Sequence, residues 1–272
     1  WSGPINVVEP DIGHFEFHAG IGGVNNNPEQ VLTISGPITS TNGAAFDVYG
    51  DGVVVVDNPA NRITHNIRIV NNGSTLRLLR DDSLGSKTNT ISIDQANTYL
   101  ELADGMTLGT STVVRFVNEG GNHGIRVYNA QDGVAETATI ASDIVTYEDN
   151  TLQGRLHTDD DMDTLIVTGL ISDGSTSNKF SATGDGTVVF DGSVANTVSG
   201  QFSIGDGGGS TWDGTSGNRN GLVVVKQSGA FGGATLLGRG AQLIAGSAGM
   251  VITNAIELSN NGLFLGGTND LT

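Results

Sequence analysis

Apolar and polar positions alternate along this chain in short runs, each closed by Gly, Asn, Asp or Ser. Typical runs are FDVYGDGVVVVD (46–57), ITHNIRIV (63–70), STLRLL (74–79), YLEL (99–102), TVVRFV (112–117) and GIRVYN (124–129), followed later by TLIVTGLI, GTVVFDG, GQFSIG, GLVVVK and AQLIAG. A period of two, β-branched side chains and turn-forming boundaries predict strands. No window long enough for a helix carries i, i+3, i+4, i+7 spacing free of interior Gly. The chain is expected to be nearly all β.

Internal repetition suggests how the strands are arranged. GDGVVVVDNPANRITHNIRI (50–69) recurs as GDGTVVFDGSVANTVSGQFSI (184–204), and IRIVNNG (67–73) recurs as IELSNNG (256–262), with IRVYNAQDG (125–133) a looser copy. Strand, tight polar turn, strand and return describe one coil of a β-solenoid. Such a unit buries its apolar side only by stacking on its neighbours, about 4.8 Å apart. With roughly 20 to 25 residues per coil, about a dozen coils and a rod near 60 Å long are expected. A β-sandwich or jelly roll is the alternative, since strands at similar spacing also suit those folds. Repeats that match side chain for side chain over so many residues favour the solenoid.

Composition narrows the function classes. The chain has 272 residues, 41 of them Gly, no Cys, and a formal charge of −17. Without Cys there is no disulfide, Fe–S cluster, thiolate zinc or Cys nucleophile. With Lys87, Lys179 and Lys226 as the only lysines, nucleic acid and anionic lipid are poor partners. No apolar run is long enough for a membrane-spanning helix, so no membrane insertion of this segment is expected. Residues 1–200 hold 25 acids and 9 bases, whereas 201–272 hold 4 and 3. The chain reads as a single β-solenoid over 1–272, with an acidic, irregular part (1–200) and a near-neutral, regular part (201–272). A division near 205–220, at GDGGGSTWDGTSGNRNG, is the other reading.

GLVVVKQSGAFGGATLLGRGAQLIAGSAG (221–249) and ITNAIELSNNGLFLGGTNDLT (252–272) resemble the autotransporter-associated β-strand repeat of bacterial surface-protein passengers. Val223, Val225 and Lys226, then Ser228-Gly229-Ala230, Gly232-Gly233 with Thr235, and Leu243-Ile244 stand in the places of that pattern. Phe231 alone stands where the repeat usually carries Asn-Thr-Tyr. The likeness implies a right-handed parallel β-helix in an extracellular or cell-surface setting and implies no chemistry.

Three groups of residues are candidates for chemistry. In HTDDDMDT (157–164), an extended chain would project Asp159, Asp161 and Asp163 to one side about 7 Å apart, an oxygen set suited to Ca²⁺. An acidic run is also what a solvated loop looks like. GDGGG (205–209) with Asp213 is similar to the Gly- and Asp-rich Ca²⁺ turns of β-rolls, but its spacing does not repeat. In HFEFH (14–18), His14, Glu16 and His18 share one side as possible zinc ligands, too far apart on a straight strand to converge, with Phe15 and Phe17 on the other side. His65, His123 and His157 belong to no nucleophile motif. Trp1, Trp212, Tyr99, Tyr128 and Tyr147 are the aromatics available to stack against sugars.

The expected function is therefore non-enzymatic: a structural or adhesive rod, fibre or coat component at the cell surface, partnered by other copies of itself or by surface polymers. It needs no cofactor beyond Ca²⁺ at the Asp cluster. Ending in mid-repeat at GLFLGGTNDLT, the chain either continues or stacks against another copy. The alternatives are a carbohydrate-binding or polysaccharide-degrading β-helix and a strand-exchanged fibre subunit of sandwich type.

Overall fold

A computed structural model describes residues 1–7, 14–20, 30–40, 45–64, 66–85, 88–117, 123–128, 130, 133–146, 153–173, 179–205, 221–259, 262–269 and 271–272. Among these residues the chain forms 26 strands and no helix. Every pairing between the named strands is parallel, as between Tyr99–Leu102 and His123–Val127. The fold is a parallel β-helix, so the sandwich alternative and the strand-exchanged subunit built on it fall away.

Each coil has three sides. Thr112–Phe116 lies in a first sheet, His123–Val127 in a second and Thr137–Ile140 in a third, before Asp143–Thr146 returns to the first one coil on. The first sheet holds 7 strands from His14–His18 to Ile171–Asp173. The second holds 10 from Val31–Ile34 to Ile256–Leu258, and the third 7 from Thr107–Leu108 to Phe264–Gly266. In the earliest coils the third side is instead Ile38–Ser40, paired with Ile5–Val7.

Ten strands in the longest sheet make the stack about 43 Å long, shorter than the dozen coils expected. The difference lies in coil length. Leu222 pairs with Gln242, 20 residues on, but Val189 pairs with Val224, 35 residues on.

Alternation fills the core. Leu32, Val54, Leu76, Leu100, Ile125 and Leu156 follow one another in register down the second sheet, all but Leu32 fully buried. Further on the filling turns aromatic: Phe116 and Phe180 are 5.9 Å apart, Phe180 and Phe202 5.4 Å, and Phe202 and Phe231 4.9 Å. Gly154 makes room for this stack, since a Cβ there would lie 2.9 Å from the Phe116 ring and 3.0 Å from that of Phe180.

The long repeat is real, but its two copies begin on different sides of the coil. In its first copy the apolar run is Val53–Val56 of the second sheet, followed by Asn66–Ile69 of the first. In its second copy the run is Thr187–Phe190 of the third sheet, followed by Gln201–Ile204 of the second. What recurs is a strand, a short middle side and a strand, shifted by one side: Arg62 pairs with Thr39 of the third side in the first copy, and Thr197 donates to the Ile171 carbonyl of the first side in the second. Gly50 and Gly184, which open the two copies, have φ of 95° and 100°, and a Cβ on either would lie 2.0 Å from a carbonyl of the preceding coil. That contact dictates the glycines.

Candidate functional site

Outward positions differ sharply between the sheets. On the third sheet, those of the strands from Thr137–Ile140 to Gln242–Ala245 are Thr, Ile, Val, Leu and Gln, with no charge among them. On the second sheet, one outward column reads Val55, Arg77, Glu101, Arg126, His157, Thr183 in strict register. Stacked coils 4.8 Å apart bring these side chains into contact whether or not they attract, and here the signs alternate.

Glu101, 3% exposed, sits at the centre. Arg77 donates Nε–H to its Oε2 at 2.7 Å, and Arg126 donates from Nε at 2.9 Å and Nη2 at 2.6 Å to its Oε1. Both guanidiniums also cover aromatic rings. Arg77 reaches past the Glu101 coil to lie 3.4 Å from the centre of the Tyr128 ring, and Arg126 reaches back to within 4.2 Å of that of Tyr99. Two cations, two rings and one carboxylate interleave over three coils, a geometry in which charge pairing and cation–π attraction reinforce each other.

The network extends through Asp159, whose Oδ2 is 3.2 Å from Arg126 Nη1 and whose Oδ1 is 2.8 Å from His157 Nε2. His157 Nδ1 is 2.9 Å from Thr183 Oγ1. Partial burial works to raise the Asp159 carboxyl, but the hydrogen bond from His157 and the charge of Arg126 hold it below its ordinary value. For Arg126 burial acts to lower, and Glu101 and Asp159 prevail to raise it. Burial pushes the Tyr99 phenol up against the pull of Arg126 and Arg155.

The three aspartates expected to act together are sent to three environments. Residues 159–162 turn rather than extend: Asp160 Oδ1 accepts the Met162 N–H at 2.9 Å and the Asp160 carbonyl accepts the Asp163 N–H at 3.2 Å. Asp159 is held by Arg126 and His157, Asp161 is exposed, and Asp163 is fully buried, its Oδ1 accepting the Glu136 N–H at 3.3 Å. Among the described residues no three His, Asp or Glu side chains are arranged to hold a metal ion. Burial, with Glu136 and Asp160 nearby, pushes the Asp163 carboxyl up to about 6.

In HFEFH the alternation is as expected. Phe17 is buried, 4.6 Å from the Phe46 ring, while Glu16 and His18 are exposed and 2.9 Å apart. GDGGG beyond Gly205, Asp213, Trp212, Tyr147 and His65 lie outside the described residues. Trp1 is 69% exposed at the far end of the stack, whereas Tyr99 and Tyr128 share the network just described.

Beside that network is an open trough of about 270 Å³, lined by Asp51, Val53, Thr75, Arg77, Asn97, Tyr99, Glu101 and Arg126 together with Gly52 and Gly73. It arises from side-chain size. Val53, Thr75 and Tyr99 are register partners on three successive coils, so two small residues form a floor and the tyrosine ring rises at its end. A wider depression near Arg62, Asp81 and Asp82 has no aromatic wall.

Sequence reasoning named Tyr99 and Tyr128 but not the network around them. The signal is present, since Arg77, Glu101 and Arg126 are opposite charges at outward positions spaced 24 and 25 residues apart. Reading it requires the length of those particular coils. Compared with protein-family models, curated proteins and solved structures, the chain finds no match in any of the three.

Proposed function

We propose that this protein is a non-enzymatic β-solenoid of the cell surface or extracellular space, in which a stiff stack of coils presents an adhesive face. The reading rests chiefly on the second sheet, where one unbroken parallel ladder of 10 strands displays a column of mutually neutralised charges and aromatic rings. The charged groups of this column are spent on one another, as Glu101 is on Arg77 and Arg126. Such fixed, preorganised groups suit recognition, because little side-chain freedom remains to be lost on binding.

The extracellular setting is supported by the likeness of 221–272 to passenger repeats. Partners are surface polymers or further copies of the chain. The test is to coat beads with the protein and measure retention on microbial and polysaccharide-coated surfaces under flow, while assaying the same polysaccharides for new chain ends. Retention without cleavage is expected. Catalytic release of fragments, or beads that hold no better than uncoated ones, would refute the reading.

A further inference from the structure

We infer that the trough beside Tyr99 is a subsite for an uncharged hexopyranose unit of a glycan. The inference deepens the adhesive reading by naming its ligand, and rests on it. Val53 and Thr75, the smaller register partners of Tyr99 on the two preceding coils, line the trough with it. Arg126, from the coil on the opposite side of Tyr99, covers one ring face at 4.2 Å. Tyr99 also lines the trough, together with Thr75 of the coil before it. An aromatic ring held upright by a stacked cation is a platform for the C–H face of a sugar ring, because its apolar area is available at no cost in side-chain freedom.

The rim supplies what the hydroxyls need. Asp51 brings carboxylate acceptors, Asn97 both a donor and an acceptor, and Arg77 a planar set of donors of which only Nε is engaged, by Glu101, among the described residues. Planar groups of this kind match pairs of adjacent hydroxyls.

Charge selects against the acidic sugars. Asp51 and Glu101 balance Arg77 and Arg126, so the lining carries no formal net charge, and the chain as a whole carries −17. A polyuronate or sulfated chain would approach against that field and find the charge of both guanidiniums already paired with Glu101, whatever N–H groups remain free. At about 270 Å³ the trough falls just under the usual range of ligand pockets, about 300–1,000 Å³, and takes a single ring of a longer chain.

The experiment is calorimetric titration of the protein with hexasaccharides of glucose, mannose and galactose in their common linkages, with oligogalacturonate alongside. At least one neutral hexasaccharide should bind, Tyr99→Ala should weaken it tenfold or more, and Tyr99→Phe should retain it. Thr75→Tyr, which fills the floor from an outward position and leaves the Arg126 contact in place, should abolish binding while the circular dichroism spectrum stays that of the parent. The inference is overturned if no neutral hexasaccharide binds at millimolar concentration, if oligogalacturonate binds better, or if Thr75→Tyr binds like the parent. Beads that adhere although no neutral hexasaccharide binds would leave the adhesive reading standing and remove this subsite. Hexasaccharide binding by a protein that holds no surface would do the reverse.

Discussion

Asn61 and Asn196 make the same pair of hydrogen bonds at two different corners of the solenoid. Each accepts a backbone N–H from an isoleucine of the preceding coil, Ile38 at 2.6 Å and Ile171 at 2.8 Å, and donates to a carbonyl of the following coil, Ser83 at 2.5 Å and Ala230 at 2.7 Å. Both are nearly buried, at 2% and 4% exposed. They occupy equivalent places in the long repeat, after Ala60 and Ala195. Where the strands have ended, the asparagine amide continues the ladder through three coils.

Replacing Asn196 by Ala strands one N–H and one carbonyl in a dry corner, at about 1–3 kcal/mol for each group left unpaired. Asn61→Ala should cost a similar amount, and the two losses should add, since the sites share no partner. Urea titration of the single and double variants checks this. A loss under about 0.5 kcal/mol for either would mean that the corners are held by other contacts.

Glu101→Gln keeps the shape of the side chain but leaves Arg77 and Arg126 facing each other without their shared anion. A loss of about 3–5 kcal/mol is expected, the range for breaking a buried pair from one side. Asp191→Asn, which breaks the 2.8 Å pair with Lys226 where both side chains are about two-fifths exposed, should change stability by less than about 1 kcal/mol. Equal effects at the two places would contradict the burial argument.

Asp163 carries a pH signature of the opposite sign to most carboxylates. Its folded value of about 6 lies above the ordinary carboxylate value, so between those limits the folded chain holds a proton that the unfolded chain has released. Its contribution to stability is complete below the ordinary value and is lost as pH rises to about 6. Asp163→Asn should therefore stabilise the protein at pH 7 relative to the parent and gain nothing at pH 4. Melting midpoints of both proteins across that range test the crossover, and a difference that does not vary with pH would rule it out.

Gly154→Val would push a branched side chain between the Phe116 and Phe180 rings. Because both rings are fully buried and have neighbours on their far sides, overpacking of about 1–3 kcal/mol or more is expected. Gly109→Ala, where a Cβ meets nothing within 4 Å, should be close to neutral. Thermal unfolding of the two variants separates space from mere loss of glycine.

How far the chain could be read from its letters depended on range. Runs such as TVVRFV and TLIVTGLI encode strands because the period of two and the Gly or Asn boundaries are local facts. The solenoid followed from comparing 50–69 with 184–204. The acidic run 157–164 misled, because three aspartates spaced by two look alike whether the backbone extends or turns, and the turn is fixed by Asp160 capping Met162 and by Asp163 meeting Glu136 from the preceding coil. The Arg77–Glu101–Arg126 column was hidden for a related reason. Coils range from 20 to 35 residues in their register spacing, so no fixed period brings those three letters together.

Because each coil is three sides joined by corners, a residue's compass direction on the rod is set by how many corners precede it. Inserting or deleting one side with its corner would leave the backbone ladder free to re-form, yet rotate everything downstream by a third of a turn. A column now aligned on one sheet would be carried to the next. Lengthening within a corner has no such effect, which is why the loops between coils can vary while Arg77, Glu101 and Arg126 stay aligned, and why a surface of this kind can be re-aimed by changing the number of sides without altering any one of them.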